Sequence, residues 1–325
     1  DLRPPPSGDA GPGGVGTGTV SIDAAAEDAV ALELPPRNSL KEINRLSASP
    51  PNLFFGEDND IPSGAVDFES LALHELGHCT GLGHPNLGVQ TGVSGSNTNF
   101  TASGDGSGTF SLDAGSDAVI GSSDDQRDDD QNLHWFETGV NNPFINVADP
   151  QAGVYSRDLS DLPEGHDFAA NAGRDVGVLL GFPSTEAVMQ QGQSSDEDQR
   201  ALQADDVATY RMAMTGLDEA AGTTDDYTMQ LEYGGIRVNT DECAVVITSQ
   251  ESGFGVCSVS GTFLDDKHVQ ITSATFSYNS TLNWYFNPVL NCAADDDDLV
   301  FSNVTHTGIE VHQACSSVTY GPDYI

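Results

Sequence analysis

Three histidines and one glutamate fall in a single short stretch, His74-Glu75-Leu76-Gly77-His78-Cys79-Thr80-Gly81-Leu82-Gly83-His84. The spacing is H-E-x-x-H-x-x-G-x-x-H. On a helix His74 and His78 are four residues apart, so both imidazoles lie on one face, one turn from each other. Glu75 lies about 100° further around the helix, beside a metal held by the two imidazoles rather than on it. A carboxylate so placed can take a proton from a metal-activated water. Gly81 lets the chain leave the helix through backbone angles that other residues avoid, and the turn returns His84 as a third ligand. Three protein ligands leave one zinc position open, which is the catalytic arrangement rather than the structural one.

This pattern resembles the metzincin clan of zinc endopeptidases, and Gly81-Leu82-Gly83-His84-Pro85 looks most like the matrixin branch, of secreted bacterial type. Astacin-like members place Glu after the third histidine and adamalysin-like members Asp; this chain has Pro85. The resemblance implies zinc on His74, His78 and His84, and peptide-bond hydrolysis by a zinc-activated water with Glu75 as general base. It also implies a tight turn that places a methionine beneath the zinc ligands. Met189, in the apolar run Ala187-Val188-Met189 closed by Gly192, suits that turn. Met212 and Met214 fall in a stretch resembling the closing helix of matrixins, where core packing accounts for them.

The elements that must carry the motif follow from pattern. A helix from about Asp67 to Cys79 presents the histidines, with Asp67 favourable at its start. Thr19–Ile22 and Val30–Leu34 alternate like strands, and 40–46 reads as a short helix. Leu202–Met214 reads as another helix. Metzincins carry a longer sheet-bearing segment before the zinc helix than residues 1–73 supply. The expectation is therefore a reduced N-terminal subdomain or a chain with residues missing. The opening Asp1-Leu2-Arg3-Pro4-Pro5-Pro6 suggests a mature form whose leader is gone.

Charge narrows the partners. Fifty Asp and Glu face eleven Lys and Arg, for a net charge of -39. Such a surface repels phosphate backbones and excludes nucleic acid as a partner; it suits high salt or abundant divalent cations. No apolar run reaches the length of a membrane span. Apolar residues make up 37% of the chain, enough for a sizeable core.

The segment between His84 and Met189 is an insertion, about 88–183. Within it Asp113, Asp117, Asp124, Asp125 and Asp128 are closely spaced among glycines. Hard oxygens on a flexible loop are what calcium takes, although the spacing is not that of an EF-hand. The other reading is a solvated acidic loop.

After a polar linker at 218–226, segments 227–233, 243–248, 256–259 and 268–278 read as short strands, and 227–294 as a small β-sandwich. A β tail over 295–325, with an edge that could pair with another chain, completes the layout. Four cysteines lie late, at Cys243, Cys257, Cys292 and Cys315. The sequential pairing, Cys243–Cys257 and Cys292–Cys315, is one of three possible. Cys79 points away from the ligand face and reads as a small buried residue. Cysteines confined to one region point to disulfides and an oxidising compartment.

The sequence therefore reads as an α+β zincin-like (metzincin) catalytic domain over 1–217 with a large insertion, followed by a small all-β sandwich-like domain and a short β tail. The expected function is a secreted or surface-bound zinc endopeptidase, with calcium as a second cofactor and protein or peptide as substrate. The C-terminal β region is a candidate for self-assembly or surface attachment. The alternative is an extracellular adhesive or filament-forming protein that keeps the metzincin fold and is stabilised by calcium.

Overall fold

The computed structural model describes residues 14–48, 60–83, 197–202, 204–264 and 268–290, with short pieces at 52–53, 112–113, 126–127, 136–137, 155–156, 185–186 and 188–189 and at residues 193 and 195. Five long strands form one sheet: β1 (Val15–Asp23), β2 (Thr228–Arg237), β3 (Val245–Gln250), β4 (Gly255–Phe263) and β5 (Val269–Asn279). Three helices are described: α1 (Leu34–Arg45), α2 (Phe68–Cys79) and α3 (Ala204–Ala213). The strand order is β4-β5-β3-β1-β2. β1 runs parallel to β2 and β3, β3 parallel to β5, and only β4 is antiparallel to its neighbour.

One expectation is corrected here. Residues 227–294 do not form a sandwich of their own: β2 and β3 flank β1 and hydrogen-bond to it directly. Four of the sheet's five strands follow α2 in the chain, so one core takes strands from both sides of the long intervening segment. Period-2 alternation defines which side of a strand is apolar but says nothing about which strand lies next to it.

Register explains the core. Ile22 pairs with Ile247, Ile247 with Phe276, and Phe276 with Cys257. Directly paired residues share a face, so this row points to the side where α1 and α2 pack. Ile22, Ile247 and Phe276 are fully buried. Phe68, at the start of α2, stacks on Phe276 at 6.0 Å and meets Tyr278, Trp284 and Phe286. A two-residue parallel pairing of Val66–Asp67 with Trp284–Tyr285 fastens the chain just before α2 to the segment after β5.

The region before α1 departs from the strand expected at Val30–Leu34. It is a run of turns leading into a helix with prolines in its first turn. Proline lacks the amide that a first-turn residue would leave unsatisfied and has its φ already set, so Pro35 and Pro36 start the helix rather than block it.

The disulfide framework also differs from the sequential pairing. Cys257 is bonded to Cys79, 178 residues away, and Cys243 is a buried free thiol. The shared-face row above is the reason: it aims Cys257 at α2, whereas Cys243 precedes β3. Closing so long a loop restricts the unfolded chain, a contribution of about 5 kcal/mol on chain-entropy grounds. Cys292 and Cys315 lie outside the described residues, as do the proposed tail and most of the insertion.

Candidate active site

α2 is buried on nearly all sides, so both of its ends need partners. At the N-terminus Asp67 is the cap: its carboxylate accepts from the Ser70 amide at 2.9 Å and the Ser70 hydroxyl at 2.6 Å. Asp67 is wholly buried and its charge is met by Arg200, whose Nε and Nη2 each donate at 2.8 Å in a fork. Gln193 and Gln199 add bonds to the Asp67 carbonyl and the Ser70 hydroxyl. Glu69 accepts from Asn38 and Asn287 at 2.8 and 2.7 Å. Burial nonetheless pushes its carboxyl up to about 7, against the pull of Arg200 and these amides.

At the C-terminus the expected glycine exit is present in detail. Gly81 has φ 105°, a conformation that favours glycine. The Gly81 amide donates to the His78 carbonyl at 3.0 Å and the Leu82 amide to the Gly77 carbonyl at 2.9 Å. This is the Schellman pattern of helix termination. It turns the Leu82 carbonyl back onto the helix, where His78 Nδ1 donates to it at 2.8 Å.

His74 is anchored the same way from another segment. Its Nδ1 donates to the Val188 carbonyl at 2.6 Å. A carbonyl can only accept, so both Nδ1 atoms carry the proton and both Nε2 atoms present lone pairs. Those two Nε2 atoms face each other 3.0 Å apart. Two acceptors that close repel unless a cation lies between them. Nitrogens bound to one zinc at about 2.0–2.1 Å can stand that close. Burial, chiefly, pulls His74 down to about 3 and lowers His78 as well, so both imidazoles are neutral, the form a metal binds. The donor set fits zinc, and carbonyls holding the far ring nitrogens are the usual support for such ligands.

Glu75 lies on a different side of α2, toward the sheet edge. It is 5% exposed. Its carboxylate accepts from the Cys257 amide of β4, and Oε1 lies against Gly255, where a Cβ would stand 2.7 Å away. Oε2 has no hydrogen-bond partner among the described residues. Burial pushes the Glu75 carboxyl up to about 7, opposed by the Cys257 amide. A carboxyl near 7 with one oxygen anchored and one uncommitted is suited to taking and returning a proton.

Val188 and Met189 form a turn and are fully buried. Met189 packs beneath α2, its Sδ 2.6 Å from where a Cβ on Gly77 would be. The same turn therefore supplies the carbonyl on His74 and the sulfur under the helix.

The structure thus brings the His74 and His78 imidazoles together, sets Glu75 against β4 on another side of the same helix, and places Met189 beneath that helix. His84 lies outside the described residues, and among those residues no group of three or more metal-binding side chains gathers. Asp113 ends a two-residue strand paired with Gln126–Arg127; its side chain and Asp117, Asp124, Asp125 and Asp128 lie outside the described residues. Sequence reasoning missed the Val188 and Leu82 carbonyls, the Asp67–Arg200 fork and the approach of β4 to Glu75. Backbone carbonyls leave no mark in a sequence. The odd fifth cysteine at position 79 was the one available signal for the last of these. No family model matches the chain, and neither the curated proteins nor the solved structures contain a match to it.

Proposed function

We propose that the chain is a zinc-dependent endopeptidase of the metzincin type. The observation that carries this reading is the pair of Nε2 atoms, 3.0 Å apart on one turn of a buried helix, each ring held by a backbone carbonyl. His74 and His78 would hold zinc through Nε2, with His84 as the third ligand by the spacing of the motif. When bound, zinc supplies a Lewis acid for the scissile carbonyl and for water. Glu75 takes the proton of the attacking water at Oε2 and returns it to the leaving amine, while the Cys257 amide keeps Oε1 in place. β4 is the sheet's edge strand beside Glu75, and its outward backbone groups suit an extended peptide.

A secreted location, calcium on the Asp-rich segment and attachment through the C-terminal region belong to the same proposal. The Cys79–Cys257 disulfide supports an oxidising compartment, and the net charge of -39 argues against nucleic acid as a partner. Among the described residues no helix is long and apolar enough to cross a membrane.

The test compares wild type with Glu75→Gln on an unfolded protein substrate, with zinc content measured in both. The expected result is one zinc per chain in each, cleavage by wild type, and a loss of about 10²–10⁴-fold in the variant. Equal inertness of both at full zinc occupancy, with calcium present, would refute the catalytic reading and leave the adhesive one.

A further inference from the structure

The Cys79–Cys257 bond joins two parts of the candidate site rather than two parts of the periphery. Cys79 is the residue after His78, on the last turn of α2. Cys257 is the residue whose amide donates to Glu75. One covalent bond and one hydrogen bond therefore fasten the same residue of β4 to the same helix, one turn apart.

Otherwise β4 is held from one side, by its antiparallel pairing with β5, its only strand neighbour among the described residues. Gly255, which lies against the Glu75 carboxylate, has no side chain to bury. Beyond Cys257 the strand faces solvent: Val259 is 43% exposed and Phe263 79% exposed. An edge segment that buries so little apolar surface has a low local opening energy unless something ties it down.

We propose that the Cys79–Cys257 disulfide is a redox-controlled clamp on the candidate site: closed, it holds the start of β4 and the Cys257 amide against Glu75; opened, it releases that segment and leaves the carboxylate unpositioned. Cys79 and Cys257 are positioning residues in this scheme and touch no substrate. The bond is asymmetric. Cys79 is 2% exposed while Cys257 is partly exposed, so attack falls on the Cys257 sulfur. The thiolate of a small dithiol or dithiol protein forms a mixed disulfide with Cys257, and Cys79 leaves as the thiolate and takes up a proton. The second thiol then displaces Cys257. The products are two protein thiols and one reductant disulfide, and oxidation by a disulfide of the same class reverses the exchange.

The effect on rate rests on the peptidase reading; the effect on β4 does not. The experiment is hydrogen exchange on the zinc-loaded full chain, before and after reduction with a water-soluble phosphine. The phosphine takes one oxygen from water to become its oxide, and the two protons go to the thiols. Peptide hydrolysis and zinc content are measured alongside. The expected result is at least about tenfold faster exchange over 255–259, with β1 and β3 still protected. Zinc content is unchanged, hydrolysis falls about tenfold or more, and both readouts recover on reoxidation. Cys79→Ser combined with Cys257→Ser matches the reduced wild type with or without phosphine, and Cys243→Ser responds as wild type does. Unchanged exchange over 255–259 on reduction overturns the proposal. So does protection lost across the whole sheet, which would make the bond a staple of the fold, or faster exchange with undiminished hydrolysis, or loss of zinc on reduction. If no form of the protein hydrolyses peptide, the peptidase reading fails, and the exchange measurement still decides the clamp.

Discussion

The sulfur of Met189 lies against the α-carbon of Gly77, so closely that a Cβ at position 77 would stand 2.6 Å from it. Gly77 directly precedes His78 in the helix and is buried. The helix can lie on the 188–189 turn only because this residue has no side chain. The same turn holds His74 through the Val188 carbonyl, so the packing contact and the imidazole's support are coupled. Gly77→Ala should improve helix propensity yet destabilise the fold by about 1–3 kcal/mol through overpacking. Zinc affinity should fall as α2 is pushed off Val188. Met189→Ala in the same background relieves the clash, and recovery of stability in the double variant by urea denaturation checks the coupling.

Arg200 and Asp67 test how the other end of α2 is held. Asp67 is fully buried and caps the helix while both guanidinium nitrogens fork onto it. Removing Arg200 leaves a buried carboxylate without its counter-charge. Arg200→Ala should therefore cost about 3–5 kcal/mol. Arg200→Lys should recover less than half of that, because an ammonium cannot make the fork. Asp67→Asn keeps a cap and should be milder than Arg200→Ala. Urea midpoints for Arg200→Ala close to those of wild type would show that the fork contributes little.

Much of α2 was legible in the sequence: its start at Asp67, its end at Cys79 and its glycine exit all rest on local signals. The strands after residue 227 were legible as strands for the same reason. Their membership was not. Cys257 alternates onto one face of β4, but only the register of β4 on β5, and of β5 on β3, shows that this face is the one under α2. Pairing between strands far apart in the chain is a property of the whole sheet, and no local pattern encodes it. His74, Glu75 and His78 were found from motif spacing and Met189 from the resemblance, while the groups that aim the three motif residues are backbone carbonyls and one amide. Those depend on where the turns at 81–82 and 188–189 fall in space.

Gly81 is where local chain geometry reaches the metal-facing ring. Its φ of 105° permits the turn that brings the Leu82 carbonyl to His78 Nδ1. Gly81→Ala forces a Cβ into a conformation that costs about 1–3 kcal/mol, and relaxing that strain withdraws the carbonyl. The expected outcome is a 10–100-fold loss of zinc affinity, measured by competition with a chromophoric chelator, while the melting temperature in chelator drops by only a few degrees. An unchanged zinc affinity would show that the Leu82 carbonyl does not orient His78.

Burial at Glu75 should be visible as a pH dependence of stability in the metal-free protein. The carboxyl is pushed from its ordinary 4.5 up to about 7 in the folded chain, with burial the main cause. The folded state then binds the proton more tightly than the unfolded state. Stability from this group is fully present below pH 4.5 and is lost as pH rises through 7. The loss amounts to about 3 kcal/mol between those limits. Glu75→Gln keeps an oxygen to accept from the Cys257 amide but cannot ionise. In chelator-treated protein the variant should match wild type near pH 4 and exceed it by that margin near pH 8, read as the difference in free energy of urea unfolding. Glu69, also pushed up to about 7, contributes equally to both proteins and cancels in the comparison, as does the repulsion among the surface carboxylates. A variant that tracks wild type at every pH would mean that Glu75 ionises in the folded state as readily as in water, and would remove the basis for assigning it the proton-transfer role.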